Sequence, residues 1–184
     1  DFRFVDVNGD GEITADDRTF IGNPTPDMTA GINIDMQYKS WDITIFGQGV
    51  WGNQIYNATR RYDLPTANMT GAALDRWTGP GTSNDYPRLT FQDNNMNFAR
   101  SSDFYVEDGS FFRIKNVQVG YNLSPAVADL LMLRKMRIYY AGTNLLTFTK
   151  YSGFDPEIGA GFGVDRGIYP QARVHSIGLN VTFK

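Results

Sequence analysis

Hydrophobic and polar residues alternate along five segments of the chain, a pattern typical of β-strands with one apolar face. The cleanest alternation covers residues 175–183, and the others cover residues 30–38, 41–51, 110–123 and 135–149. A period of two places successive side chains on opposite faces of a sheet, whereas an amphipathic helix repeats every three or four positions. The pattern therefore predicts an all-β, antiparallel fold.

The first two segments predict a hairpin that turns at Lys39-Ser40. The cross-strand pairs expected from this turn are Tyr38–Trp41, Met36–Ile43 and Ile34–Ile45. All six side chains then share one face, as pairing between apolar faces requires.

The segment 135–149 has a less regular alternation. Asn144 falls on the same face as Ile138, Tyr140, Leu146 and Phe148. A polar residue among apolar ones predicts either a β-bulge or a partly covered face at this point.

The lengths of the strands and connections favour a membrane barrel over a soluble β-sandwich. Ten residues of strand extend roughly 33 Å, enough to cross a bilayer when tilted, whereas globular strands are shorter. Tyr38, Trp41 and Trp51 lie at strand ends, where aromatic girdles would be. The connections at 39–40 and 124–134 are short, whereas those at 52–109 and 150–172 are long, as in outer-membrane barrels.

Composition excludes several other classes of protein. The chain has 184 residues, enough for one domain or at most two small ones, with 17 basic and 20 acidic side chains and a net charge of −3. A net negative charge does not favour binding to the negatively charged backbone of nucleic acid. There is no cysteine, and His175 is the single histidine, so disulfide scaffolds, thiolate zinc sites and multi-histidine metal centres are excluded.

Residues 6–17 have the spacing of a calcium-binding loop of the EF-hand type. The expected ligands are Asp6, Asn8, Asp10, Glu12 (through its backbone carbonyl) and Asp17. Gly11 permits the sharp turn that such a loop requires, and hard oxygen ligands favour Ca²⁺ over transition metals. Asp17 replaces the usual closing glutamate, so we expect a structural Ca²⁺ of modest affinity.

Two other functional classes fit parts of the sequence. A soluble, calcium-stabilised, carbohydrate-binding β-module would use the acidic loop together with Trp77, Tyr86 and Tyr169 as sugar-stacking aromatics. A glycosidase would need two carboxylates, and the acidic candidates are Glu107, Asp108, Asp155, Glu157 and Asp165. Acidic residues in glycine-rich loops are more often turn-forming, so we expect no enzymatic activity.

The ordered set of motifs resembles SusC/RagA-type TonB-linked outer-membrane transporters over essentially the whole chain. The motifs are the acidic loop with Asp17-Arg18, residues 21–24 (IGNP), 76–78 (RWT), 144–147 (NLLT), 151–157 (YSGFDPE), 167–170 (GIYP) and 176–183. The resemblance implies a 22-stranded barrel with a plug, a SusD-type surface lipoprotein and TonB-supplied energy for importing oligosaccharides or peptides. We therefore expect this chain to be the last five strands of such a barrel, and part of a longer protein.

The resemblance also implies a topology. Residues 1–27 would form an extracellular loop with the calcium motif, and residues 28–184 the strands and loops of the incomplete barrel. Residues 52–109 and 150–172 would be extracellular, the C-terminus periplasmic, and the apolar faces would contact outer-membrane lipid. The polar faces would line the lumen, with the candidates Asp35, Gln37, Asp42, Gln48, Asn116, Gln118 and Asn180.

Overall fold

The structure, a computed structural model, describes residues 1–60, 68–69, 71–90, 92–158 and 162–184. Its strands are β1 Met28–Tyr38, β2 Trp41–Trp51, β3 Gln54–Asn57, β4 Val106–Asp108, β5 Phe111–Asn122, β6 Leu133–Thr149, β7 Val164–Asp165 and β8 Val174–Phe183. One α-helix, α1 Pro125–Leu130, and the 3₁₀ turns Ala15–Asp17, Gly71–Asp75 and Asp103–Tyr105 complete the elements of these ranges. Within them no helix is long and apolar enough to span a bilayer.

The five long strands form one antiparallel sheet in the order β1-β2-β5-β6-β8. The three predicted hairpin pairs, Tyr38–Trp41, Met36–Ile43 and Ile34–Ile45, are all present. Lys39 adopts a left-handed backbone with φ 53°, which lets a two-residue turn join β1 to β2. The all-β prediction and the register of the hairpin are therefore confirmed.

Strand pairing extends the apolar face of the hairpin across the whole sheet. Two of its rows run Tyr38–Trp41–Tyr121–Ile138–Leu179 and Met36–Ile43–Val119–Tyr140–Ile177. No other described element packs on this face, so that Ile177 is 83% exposed and Ile32 54% exposed. The sheet thus presents one continuous apolar surface and, on its other side, a polar surface.

Two irregularities in the central strands change which residues face which side. Thr143 of β6 pairs with Asn116 of β5, and Leu146 pairs with Ile114, so β6 has one more residue than β5 between these two pairs. Asn144 lies in this stretch with φ 54°, and the bulge predicted there is confirmed. On β5, Lys115 is an extra residue opposite β2, which the alternation pattern did not predict. An extra residue reverses the alternation beyond it. Ile114 consequently joins the apolar face.

Glycines on β2 make room for large aromatic rings on the apolar face. A Cβ at Gly47 would lie 2.6 Å from the ring of Phe112, and one at Gly49 would overlap the ring of Trp51. Each ring packs directly on the β2 backbone, in the space that a side chain would otherwise occupy. This close packing explains the presence of two glycines inside a strand.

The two long connections, residues 52–109 and 150–172, contain strands of their own, which the sequence pattern did not predict. β3 pairs antiparallel with β4 and parallel with β7, so these connections share a second, three-stranded sheet. The parallel pairing joins segments about a hundred positions apart, which local alternation does not reveal. The short connection 124–134 likewise contains α1, which was not predicted either.

The most completely buried apolar cluster belongs to the loops rather than to the large sheet. Ala73, Phe98 and Tyr105 form its centre, with partly buried Tyr56, Tyr86, Leu89 and Phe104 around it. Tyr56 of β3 stacks on Tyr105 with ring centres 5.1 Å apart. A structured assembly of loops thus lies at one end of the large sheet.

Two neighbouring residues of β5 allow a test of whether the apolar face contacts lipid. Val119 lies on the apolar face and Gln118 on the polar face, and both are half-buried. If the apolar face contacts lipid, Val119→Arg should cost roughly 2–4 kcal/mol and sharply lower the amount of folded protein in the outer membrane, because arginine is costly near the middle of a bilayer.

Gln118→Arg is the matched control, since it places the same charge one residue away on the other face. It should leave the folded amount close to that of the parent protein, measured by mobility in unheated detergent gels. Equal tolerance of both substitutions would show that the apolar face does not contact lipid.

Candidate functional site: the polar face and the loop assembly

All seven polar candidates predicted for the lumen lie on the face of the large sheet opposite the apolar rows. These residues are Asp35, Gln37, Asp42, Gln48, Asn116, Gln118 and Asn180. Asp42 is bound by Arg137 of β6, through Nε at 3.0 Å and through Nη2, and by the Asn122 amide at 3.0 Å. Arg137 was not among the predicted residues, because its pairing with Asp42 spans three strands.

The loop assembly, defined as the described residues of 52–109 and 150–172, is joined to the large sheet by Arg113. This side chain is 3% exposed and donates to Asp155, to Glu157 Oε2 at 2.9 Å and to Thr147 Oγ1 at 2.9 Å. Lys115, the extra residue of β5, places its ammonium 2.6 and 2.7 Å from the two Glu157 oxygens. Two cations of one strand therefore hold two carboxylates of the connection 150–172.

Asp155 is held as an anion by this arrangement. Burial opposes ionisation, but the Arg113 guanidinium and the backbone N–H groups of Gln171 and Glu157 outweigh it and keep the pKa of Asp155 below its usual range. The Gln171 N–H donates to Asp155 Oδ2 at 2.9 Å, so the carboxylate also bridges two parts of its own connection. Asp155 and Glu157 are thus occupied in structural bonds, which does not favour the pair as glycosidase acids.

The Glu107 side chain joins the two long connections to each other, whereas the Asp165 side chain links two parts of the connection 150–172. Asp165 is 1% exposed and accepts a hydrogen bond from the Tyr151 hydroxyl at 2.7 Å. Burial, and next the Asp165 carboxylate, raise the pKa of Tyr151. Glu107 accepts bonds from the Asn57 amide at 3.0 Å and from the Ser152 N–H and hydroxyl, each at 2.8 Å. These two acidic candidates are therefore structural as well.

The three predicted loop aromatics lie in different environments. Tyr86 packs against Phe104, and the Arg60 guanidinium lies 4.1 Å from the centre of the Phe104 ring. Trp77 is partly buried and its backbone N–H donates to the Tyr86 carbonyl at 2.9 Å. Tyr169 is 88% exposed. Of the three, Tyr169 alone presents most of its ring to the surroundings.

The first residues of the chain dock onto the loop assembly. The Phe2 ring lies 4.9 Å from that of Phe104, and the Phe2 N–H donates to Asn97 Oδ1 at 2.8 Å. Arg100 provides a further contact: its guanidinium donates to the Ile13 carbonyl, inside the acidic loop, at 3.0 Å. The acidic loop is thereby tied to residues nearly ninety positions later.

The acidic loop is folded around its own backbone N–H groups. Asp17 accepts from Val7 at 2.8 Å and from Thr14 at 2.7 Å, and Asp6 Oδ2 accepts from Gly11, whose φ is +85°, at 2.8 Å. These hydrogen bonds hold the pKa of Asp17 below its usual range, and the N–H of Thr14 has a larger effect than that of Val7.

The oxygen donors of this loop and its glycine turn fit Ca²⁺ in their chemistry. In the ranges that the structure describes, however, no three acidic or histidine side chains are arranged as a metal site. The carboxylates are directed to backbone N–H groups instead. The calcium site of Asp6, Asn8, Asp10, Glu12 and Asp17 therefore stays a prediction.

Replacing Arg113 tests whether it holds the loop assembly in place. Arg113→Met should destabilise the connection 150–172 by about 3–5 kcal/mol, because the buried Asp155 loses its charge partner. We expect faster amide hydrogen exchange in residues 150–158 and 162–172, with little change in β1 and β2.

Arg88→Ala is the matched control, because Arg88 pairs with Asp1 at 2.7 Å in an exposed position. An exposed pair contributes roughly 0–1 kcal/mol, so exchange in residues 150–172 should not change. Unchanged exchange there in Arg113→Met as well would refute the role given to Arg113.

No family model matches the chain. The TonB-dependent receptor P3 of Formosa agariphila is 38% identical over 191 residues, which cover 98% of this chain and 19% of that protein. The TonB-dependent receptor SusC of Bacteroides thetaiotaomicron is 26% identical over 98% of this chain and 17% of its own length.

The fold is similar to that of solved transporters. The structure of the RagAB peptide importer in its open-open state superposes with a TM-score of 0.76 and 26% identity, covering 94% of this chain and 19% of the matched chain. A second structure of the RagAB peptide transporter gives a TM-score of 0.75. The chain spans about one fifth of the length of each of these proteins. Over nearly its whole length, the chain is similar to one segment of the SusC/RagA-type TonB-dependent receptors.

Proposed function

We propose that this segment forms part of the barrel wall and loops of an outer-membrane active transporter that imports oligosaccharides or peptides. The observation that carries the proposal is the continuous apolar face across five paired strands, with a polar face behind it, in a chain whose relatives are TonB-dependent receptors. In this role the apolar face contacts lipid and the polar face lines the lumen. A SusD-type lipoprotein assembles with the complete protein, and TonB supplies the energy.

The topology that we propose places residues 1–27, 52–109 and 150–172 outside the cell. The turn at 39–40, the connection 124–134 and residue 184 then lie on the periplasmic side. Two features support this orientation: the long connections lie together at one end of the sheet, and they carry a buried core of their own. Long structured loops belong to the extracellular side of outer-membrane barrels.

Within the proposed lumen, the polar face serves packing and hydration rather than substrate recognition. Its ionic pair, Asp42 and Arg137, is mutually neutralised, and Asp35 accepts a hydrogen bond from Thr44 Oγ1 at 2.7 Å. RagAB, on which the fold superposes, is a peptide importer, whereas a glycan substrate would fit the exposed ring of Tyr169. Peptides and oligosaccharides are therefore both candidate substrates.

The alternative of a soluble, calcium-stabilised carbohydrate-binding module has less support. A sandwich needs a second layer on the apolar face, and within the described ranges the three-stranded sheet does not supply it. The aromatics proposed for sugar stacking are dispersed, with Tyr86 packed among the loops.

The first experiment is to determine the denatured mass of the native polypeptide and the conditions that extract it. We expect a chain several times heavier than 20.7 kDa, the mass of this segment, extracted only with detergent. Cells that lack the protein should lose uptake of one class of labelled oligosaccharide or peptide, and cells that lack TonB should lose the same uptake. A soluble polypeptide of the mass of this segment alone would overturn the transporter proposal.

We also propose that Ca²⁺ binds the acidic loop in a structural role, which makes a separate prediction. Chelation should raise hydrogen exchange in residues 1–27 and leave the large sheet protected, because the loop is outside it. Affinities of extracellular sites run from about 10⁻⁴ to 10⁻³ M, so the transition should occur when Ca²⁺ is removed from the millimolar range.

Asp10→Ala should reproduce the effect of chelation, whereas Asp16→Ala, an exposed neighbour outside the ligand set, should not. Exchange in residues 1–27 that is insensitive to Ca²⁺ would refute the metal site. Opening of the whole sheet on chelation would refute its purely local role.

A further inference from the structure

The connection between β5 and β6 exposes a group of apolar side chains that the transporter proposal leaves unused. This turn patch consists of Val127, Leu130, Leu131 and Met132, of which Leu130 is 82% exposed and Met132 79% exposed. α1 is held at its other face, where Ala128 is only 2% exposed. The patch is therefore presented by a fixed turn rather than by a loose loop.

The backbone of the turn does not by itself account for the residue at position 132. Met132 has φ 58°, a left-handed conformation that is reached directly after a helix and that glycine or asparagine adopts with less strain. A long apolar side chain occupies a position that favours glycine. This suggests that the side chain has a use outside the turn.

The turn patch continues the apolar face of the large sheet. The next residue, Leu133, pairs with Phe183, and Met136 pairs with Val181, in rows that follow the apolar rows of β6 and β8. Phe183 is 74% exposed. The surface covered by lipid in the proposed function thus runs without interruption from the strands onto the turn.

Aromatic side chains at the same end of the sheet indicate where the membrane boundary lies. Tyr38, Trp41 and Tyr121 occupy the last row of β1, β2 and β5, and the rings of Trp41 and Tyr121 are 4.9 Å apart. Tyrosine and tryptophan concentrate at the level of lipid headgroups. The turn patch lies beyond this row at the same end of the sheet, separated from it on β6 and β8 by the pairs Met136–Val181 and Leu133–Phe183.

The charges beside the turn patch suit a phospholipid surface. Arg134 follows it and is exposed, and Lys184 lies across from the helix, 3.0 Å from Asp129, whereas Lys135 pairs with Thr182 on the polar face. Basic side chains with apolar neighbours are the pattern of interfacial segments that bind phosphate headgroups while inserting apolar groups between the acyl chains.

We propose that the turn patch inserts into the headgroup–acyl boundary of the adjacent bilayer leaflet and anchors this end of the sheet. The proposal rests on the proposed function, because it takes the apolar face to be in lipid. It adds a lipid-binding surface outside the strands, with phospholipid as the partner.

The test uses the intact protein reconstituted in phospholipid vesicles, with single cysteines carrying a bimane fluorophore. This segment contains no cysteine, and the labelled parent protein gives the background from the rest of the chain. Met132→Cys and Leu130→Cys report on the turn patch, and either one suffices if the other fails to fold. Ser124→Cys, on an exposed side chain without a capping bond in the same connection, is the matched polar control.

We expect brominated phospholipids to quench the labels at 132 and 130, and aqueous iodide to quench the label at 124. Quenching at 132 and 130 by iodide but not by brominated lipid would overturn the proposal. Loss of quenching by both agents there would overturn it too, because it would mean that protein covers the turn patch.

A label at Ile177→Cys, in the middle of the apolar face, separates this proposal from the previous one. If brominated lipid quenches it but does not quench labels at 132 and 130, only the anchor is refuted. If the label at 177 also escapes lipid quenching, the transporter proposal fails together with the anchor.

Discussion

Every part of this structure depends on the register of one antiparallel sheet. In a hydrocarbon environment each strand N–H and C=O must find a partner in a neighbouring strand, since no water is present to replace it. Because side chains alternate with a period of two, a slip of one residue would turn a whole apolar face inward. The register of strand pairing aligns the apolar side chains into rows from β1 to β8. A different register would break these rows, so the apolar pattern of each strand also selects the register.

The bulge at Lys115 shows how a local departure from that register has a distant effect. With the extra residue, Ile114 lies on the apolar face, while Arg113 lies on the polar side. There Arg113 and Lys115 meet Asp155 and Glu157 of the connection 150–172. A regular strand would direct Arg113 to the apolar face, where an unpaired charge is costly. The irregularity of one strand thus allows the loops to be fastened to the sheet.

The features that the sequence predicted correctly are those set by nearest neighbours. The hairpin at Lys39-Ser40 and the bulge at Asn144 both follow from alternation within one or two adjacent segments. The pairing of Tyr56 with Val164, the bond from Arg100 to Ile13 and the contact of Arg137 with Asp42 join residues about 90 to 110 positions apart. Such contacts depend on strand order and on packing, neither of which is encoded in the spacing of a single segment. For the same reason, the spacing of Asp155 and Glu157 does not reveal their cationic partners on β5, about 40 positions earlier in the chain.

In the transporter that we propose, the distribution of satisfied charges indicates where selectivity can reside. On the polar face Asp42 is neutralised by Arg137, and in the loops Asp155, Asp165 and Glu107 are occupied by hydrogen bonds that hold the assembly together. A group that is already bonded within the protein can recognise a substrate only by breaking that bond, which weakens its contribution to affinity. Exposed groups without such bonds can bind at lower cost, and Tyr169 in the loop assembly is of this kind. In the proposed transporter, the residues that position the loops therefore differ from those exposed to a substrate, so the exposed loop residues can change without loss of the sheet.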